Sequence, residues 1–436
     1  MYFYVKLLFM IYKILEKYLF NNNKFHKIFF YSIYTQATGT HIPQVFFLGG
    51  ILTIYILNIG GSNFDIGLLN MVFHSSIIFS YTIFPLIQNY RINNLMNYSS
   101  ILSLVFFTFF FFIFHFSSSL NLNALLIIIF ISTILFRTSD NIYGISRITY
   151  VYDNIPKHLH GRYFGSMRLI ISMIVITISL MSGYVLSDNP SLSNFNSLIV
   201  IYILIFLFRI YFSFKLPIIN KFNLSNKFLL SNYLIPLKNQ QFRNYLFHDV
   251  FVVSIYTILN PFFIPFLIKD LNFPSSLAIY SFSCLQIGNI ISLLKWGKIV
   301  DLLGNAKTTK YSMYIIFLSY ALIYSLPNFR EYNYYSFIAS MVAFLILGIG
   351  LSGLNISFTV RFLDKIKKDS RLNFLNVGIM ISHSIRAIWP LLVGIILSLK
   401  FDIYEIKFDI NVSLLIIFIL AHLIICIIYF KRIFKD

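Results

Sequence analysis

Twelve apolar stretches, each long enough to cross a bilayer as a helix, follow one another along this chain with only short polar joints between them. They fall near residues 28–57, 65–88, 98–116, 121–148, 163–187 and 195–214, then 243–268, 275–300, 309–327, 334–360, 372–399 and 410–431. One longer polar break, about Lys215 to Gln241, carries Lys215, Lys221, Lys227 and Lys238 and divides the series six and six. Only 11% of the residues are charged, against 58% hydrophobic, whereas a soluble domain carries about 25% charged. Alternation of period two is absent, which excludes an outer-membrane barrel. The expectation is an all-α integral membrane protein with 12 transmembrane helices in two pseudo-symmetric six-helix halves.

The halves echo each other. Phe25–Phe46 (FHKIFFYSIYTQATGTHIPQVF) lies 222 residues before Phe247–Ile268 (FHDVFVVSIYTILNPFFIPFLI), and nine of 22 positions are identical without gaps. Composition alone gives roughly two matches. The shared residues include SIYT and the Ile-Pro of each segment, so each half opens on a polar-spotted helix containing proline. Where the copies differ, Gln36, Thr38 and His41 stand opposite Ile258, Asn260 and Phe263, and Lys27 stands opposite Asp249.

Charge placement orients the helices. Four of the 34 basic residues (Lys269, Arg330, Lys400, Lys407) fall on one side, two (Arg137, Arg386) fall within the bilayer, and the remaining 28 gather on the other side. By the positive-inside rule, both termini and the basic-rich face are expected in the cytoplasm, with the protein in the cell (inner) membrane. The net charge of +19 is therefore a topology signal and a contact with anionic lipid, and nucleic acid is excluded as a partner. The first residues are interrupted by Lys6, Lys13, Glu16 and Lys17 and resemble an amphipathic surface helix rather than a signal peptide. The expected organisation is an amphipathic cytoplasmic segment (1–27), a six-helix half (28–214), a cytoplasmic linker (215–241), a second six-helix half (242–432) and a short tail (433–436). Cys284 and Cys426 both sit in apolar runs and give no disulfide framework.

The joint between spans 8 and 9 reads Gly297-Lys-Ile-Val-Asp301-Leu-Leu-Gly304-Asn-Ala-Lys307. It resembles the signature loop of the major facilitator superfamily (MFS): glycine, aspartate, then glycine and basic residues. Leu302, Asn305 and Ala306 depart from that pattern, and the matching loop after span 2, from Pro85 through Asn89, has no glycine. His160–Gly165, entering span 5, and Gly60–Gly67, entering span 2, are also similar to family segments. The resemblance implies a secondary active transporter of a small solute that works by alternating access. It also implies that Gly297, Asp301, Gly304 and Lys307 latch the two conformations, with Gly297 allowing a close helix approach.

Spans 3, 6 and 12 are almost uniformly apolar and are expected to face lipid, while the others carry groups that need a partner or a wet cavity. Arg137 and Asp140 in span 4 lie at i,i+3, where they either pair or leave Arg137 for substrate and Asp140 for a coupling ion. His383 and Arg386 share a face of span 11, just before Pro390. Two arginines in opposite halves suit an anionic or polar substrate. Further substrate-binding candidates are Gln36, His41, Asn260, Gln286, Asn289 and Asn355, with His74 also facing a cavity; Asp249 is a second ion-coupling candidate. No Walker-type loop, zinc-ligand spacing or nucleophile elbow occurs, so neither an enzyme nor a cofactor is expected. The expected partners are the bilayer, a small-molecule substrate and protons or sodium, with the chain a monomer. Two alternatives stand beside the transporter. One is a lipid-linked oligosaccharide flippase or polymerase of surface-polymer synthesis, and the other is an MFS-like protein that has lost transport.

Overall fold

A computed structural model describes residues 23–87, 90–156, 159–217, 234–246, 258–329, 333–364 and 371–398, with a two-residue antiparallel pairing of Asp402–Ile403 and Ile406–Lys407 beyond them. The amphipathic start, most of the linker, the front of span 7 with Asp249, and span 12 lie outside the described residues.

Among the described residues, nine helices are long and apolar enough to cross a membrane. One of them, Ser275–Ser325, is 51 residues long and leaves helical geometry at Gly304 (φ 79°, ψ 168°), which divides it into spans 8 and 9. That left-handed backbone is open to glycine at little cost. Spans 2 to 6 are Asn63–Ile87, Ile92–His115, Leu122–Asn154, His160–Leu186 and Leu192–Phe214; spans 10 and 11 are Asn333–Asp364 and Arg371–Ser398. The helical class matches the expectation, and among the described residues spans 2, 5, 6, 10 and 11 fall close to their expected positions, while span 3 starts earlier and span 4 ends later than expected.

Span 1 is not one regular helix. Asn23–His41 passes into a wide-turned segment, Ile42–Phe47, and after Gly50 (φ 93°) resumes as Ile51–Asn58. The end of span 7 repeats this, with Asn260–Phe262, Phe263–Pro265 and a wide-turned Phe266–Asp270. Proline removes a backbone donor and widens the turn in both. The Pro43 carbonyl accepts from Leu48 N–H (3.2 Å) and the Phe266 carbonyl from Leu271 N–H (3.2 Å), each five residues on. Irregular backbone at membrane depth is tolerated where protein or a cavity surrounds it. Both segments sit at the junction of the halves.

Aromatic packing fills the N-terminal half. Phe46 meets Phe107 and Phe110 edge to face and Phe114 at a tilt, which brings spans 1 and 3 together, and Tyr55 stacks on Phe114 with ring centroids 3.8 Å apart. Span 3 turns Leu102, Val105, Phe109 and Phe112 outward, consistent with a lipid face. Span 6 differs from its expected uniform apolar character. Leu204, Leu207 and Tyr211 are exposed, but Arg209 on the other face is buried, at 2% exposure. Arg147 of span 4, which the charge count assigned to the basic-rich face with Arg209, is also buried (4%) and donates to the Tyr163 hydroxyl at 3.1 Å.

In the C-terminal half, spans 8 and 10 cross closely through glycines. A Cβ at Gly348 would strike the Leu285 carbonyl, and one at Gly288 the Leu345 carbonyl. Such small-residue crossings let backbones touch where lipid supplies no hydrophobic drive. Gly348→Val is expected to lower stability by about 1–3 kcal/mol through overpacking, read as a lower melting temperature in detergent.

Among the described residues the halves meet where span 1 packs on 7, 2 on 11 and 5 on 8, and span 2 also touches Asn260–Phe262 of span 7. Gly50 lies against Ile264, Gly67 against the backbone of Pro390 and Gly394, and Gly183 against Tyr280. The Asp188 carboxylate accepts from the Ser276 hydroxyl (2.5 Å) and its carbonyl from Ser275 N–H (3.3 Å), which caps the start of span 8 from the other half. Ser179 and Ser283 pair at 2.8 Å. All of these contacts lie in the half of the membrane nearer the basic-poor face.

Candidate functional site

Beneath that seam the halves enclose a cavity of about 240 Å³. Six helices line it: spans 1, 2, 5, 7, 8 and 11. Its polar inventory among the described residues is Gln44, Asn70, His74, Asn260, Gln286 and Arg386, beside two serines and Thr53, with Trp389 and phenylalanines on the apolar walls. Among the described residues, no carboxylate lines it. The irregular parts of spans 1 and 7 contribute Gln44 and Asn260, so both echo segments line the cavity.

Arg386 reaches the cavity from the middle of span 11. Its Nε has no hydrogen-bond partner, and no ion pair holds it among the described residues. The Asn260 side-chain oxygen is likewise buried without a partner among them. Both are groups that a polar solute can satisfy, and leaving them unmet carries a desolvation cost.

His74 and His383 face each other across the seam, with Nδ1 atoms 3.2 Å apart and ring centroids 5.2 Å apart. His383 is the histidine expected beside Arg386, and His74 is a cavity-lining residue of the other half. Gln286 lines the cavity, and its side-chain oxygen receives Asn289 at 3.4 Å, so Asn289 stands one layer behind.

The remaining candidates lie elsewhere. Asp140 bridges two guanidiniums, accepting from Arg137 at 2.7 Å and from Arg209 at 2.6 Å. Arg209 also lies over the Tyr143 ring (3.6 Å) and Arg137 over Phe73 (4.1 Å). Gly39 makes room for this, because a Cβ there would collide with the Arg209 side chain. Arg137 and Asp140 are thus held in a buried triad and neither lines the cavity. His41 is buried against span 6, its Nε2 3.3 Å from the Tyr202 carbonyl and its ring edge-on to Tyr202. Gln36 is half-buried in span 1 away from the cavity lining, and Asn355 is exposed on span 10.

In the joint between spans 8 and 9, Gly304 makes the turn, and Asp301 and Lys307 are both exposed. The Thr308 hydroxyl donates to the Gly304 carbonyl (2.8 Å) and the Ser357 hydroxyl to the Asn305 carbonyl (2.9 Å), tying the turn to span 10. A Cβ at Gly297 would meet nothing within 4 Å, so the close approach expected there is not made in this conformation. The physical reason is the placement of the seam, whose contacts between halves lie toward the opposite face.

The model of the major facilitator superfamily matches residues 37–390. The chain belongs to that superfamily. Solved structures with the same fold include the nucleoside transporter NupG, with 13% identity and a TM-score of 0.65 over 94% of this chain and 99% of that one. A bacterial homologue of the iron transporter ferroportin matches in its inward-facing state with 11% identity and a TM-score of 0.68, over 93% of this chain and 97% of that one. The same homologue in its outward-facing state gives 14% identity and a TM-score of 0.58, over 93% and 99%. No curated protein sequence matches the chain. MFS membership accounts for the two halves, the seam and the central cavity together, and makes this a secondary transporter in general terms.

Proposed function

We propose that this MFS protein carries a small polar solute bearing a negative charge, by alternating exposure of the central cavity to the two faces of the membrane. The observation that carries the substrate charge is Arg386, a cavity-lining cation with an unmet donor, in a described lining without carboxylates. Amides at Asn70, Asn260 and Gln286 supply donors and acceptors for the rest of the solute. A volume of about 240 Å³ suits a small molecule rather than a lipid-linked oligosaccharide.

In this reading the basic-rich face is cytoplasmic, both termini lie there, and the conformation is inward-facing. Contacts between halves on the opposite side support that orientation, as does the higher similarity to the inward-facing neighbour. The triad around Asp140 serves as an anchor within the N-terminal half rather than as a site for substrate or coupling ion.

Uptake of labelled small carboxylates, phosphates and uncharged polar solutes into proteoliposomes tests the proposal. For the anion that is transported, Arg386→Gln is expected to reduce uptake by about 10- to 100-fold, the worth of one charge-assisted hydrogen bond. Arg137→Gln, corrected for the amount of folded protein, is expected to act much less. Equal uptake by Arg386→Gln and the parent protein would end the anion assignment.

A further inference from the structure

The His74–His383 contact is a hydrogen bond between the halves in which both partners titrate. An Nδ1–Nδ1 separation of 3.2 Å requires one ring to donate an Nδ1–H while the other presents a bare Nδ1 lone pair. The neutral pair therefore shares one hydrogen and holds span 2 to span 11. One added proton can sit on the donor ring's bare Nε2 without breaking this bond; a second, on the bare Nδ1, leaves two donors facing each other and no acceptor. Protonation of both rings places two imidazolium charges together.

The surroundings sharpen this. The charged groups acting on the pair are Arg386, on span 11 with His383, and Arg137, on span 4 behind span 2. Both are cations. Asp140, the carboxylate nearest in the chain to Arg137, has its two oxygens taken by Arg137 and Arg209. Span 7 contributes Asn260, which does not titrate, to the same cavity. No cluster of three or more His, Cys, Asp or Glu able to hold a metal ion exists among the described residues, so a bound cation does not account for the pairing.

We propose that the His74–His383 pair is the proton-coupling site of the transporter. Unprotonated, it bonds the seam closed on the basic-poor side. Protonated and empty, it holds the seam open by like-charge repulsion. A negatively charged solute between Arg386 and the protonated pair screens that repulsion and lets the seam close again. The empty neutral carrier and the carrier loaded with anion and protons both cross, so protons move only in company with the anion. A proton alone does not pass. This inference rests on the anionic reading of the cavity, but its first test uses no substrate.

Spin labels at Ser118→Cys and Asn328→Cys, at the basic-poor ends of the two halves, report the seam by pulsed dipolar spectroscopy in a Cys284→Ser, Cys426→Ser background. In reconstituted protein without added solute, lowering the pH from about 8 to about 5 is expected to raise the ratio of long to short distances at least about tenfold. His74→Gln and His383→Gln, which keep hydrogen-bonding capacity without titrating, are expected to abolish that response. His74→Lys, which puts a cation at the contact, is expected to favour the long distance at both pH values. A pH-independent distribution in the parent protein overturns the proposal, and so does an undiminished response in both Gln variants. Should a Gln variant not fold, the parent titration and the Lys variant still decide. Gly67→Val, which obstructs the seam by bulk, separates the two readings. If it yields the long distance while acid does not, only the proton site is refuted; if neither does, the span 2–11 crossing does not seal the cavity and the proton site falls with it.

Discussion

Asp140→Asn is expected to destabilise the protein by about 3–5 kcal/mol, the cost of leaving a buried ion pair with one partner removed. The loss is large because Asp140 answers two cations, Arg137 at 2.7 Å and Arg209 at 2.6 Å, and Arg209 is 2% exposed. Asparagine keeps the shape and one acceptor but leaves two guanidinium charges facing each other in the bilayer interior. Melting in detergent, followed by loss of monodisperse protein on heating, measures the effect. Adding Arg209→Met to Asp140→Asn is expected to recover part of the loss, because one of the uncompensated charges goes with it. An Asp140→Asn protein that melts like its parent while failing to transport would assign the carboxylate to coupling and remove it from the framework.

Gly67→Val is the second large effect, and it acts on conformation rather than on folding. A Cβ at position 67 would run into the Pro390 carbonyl and the Gly394 Cα, which are backbone atoms that cannot swing aside. The variant folds by keeping spans 2 and 11 apart, so the population open to the basic-poor face rises. An overpacking cost of about 1–3 kcal/mol corresponds to a shift of roughly 5- to 150-fold. The check is a cysteine at Gln44, a cavity-lining position on span 1. Its modification by a membrane-impermeant thiol reagent from the basic-poor side should accelerate at least about fivefold in Gly67→Val, with transport lost. Gly67→Ala should fall between. Unchanged labelling in Gly67→Val would mean that this crossing does not seal the cavity.

Much of the architecture could be read from the chain because burial in lipid restricts the options. Apolar length set the spans, the glycine at 304 set the turn between spans 8 and 9, and the Ile-Pro echo located the two irregular segments that both line the cavity. The site was less legible. Arg386, Asn260 and Gln286 stood out as polar groups in apolar helices and do line the cavity, whereas Gln36, His41 and Asn355 stood out equally and do not. The difference is helix rotation and depth, which span 1 makes hard to follow because its helical period breaks at Ile42 and Gly50. Arg209 was hidden for another reason. At the end of an apolar run a cation looks like a topology marker, and only the matching gap at Gly39 signals that it turns inward. His74 and His383 were each visible, but their meeting across 309 residues of chain follows from the packing of span 2 on span 11.

The triad in the N-terminal half holds two guanidiniums against one carboxylate and so leaves an unbalanced positive charge at membrane depth. That charge belongs to the rigid half, and it travels with it. Any rocking of this half relative to the bilayer moves the charge through part of the transmembrane field, which does work of up to about 2.3 kcal/mol per 100 mV on a full crossing. Membrane voltage therefore acts on the balance between the two conformations even when the cavity is empty. A carrier built this way is a capacitor as well as a gate, and its resting conformation depends on whether the membrane around it is energised.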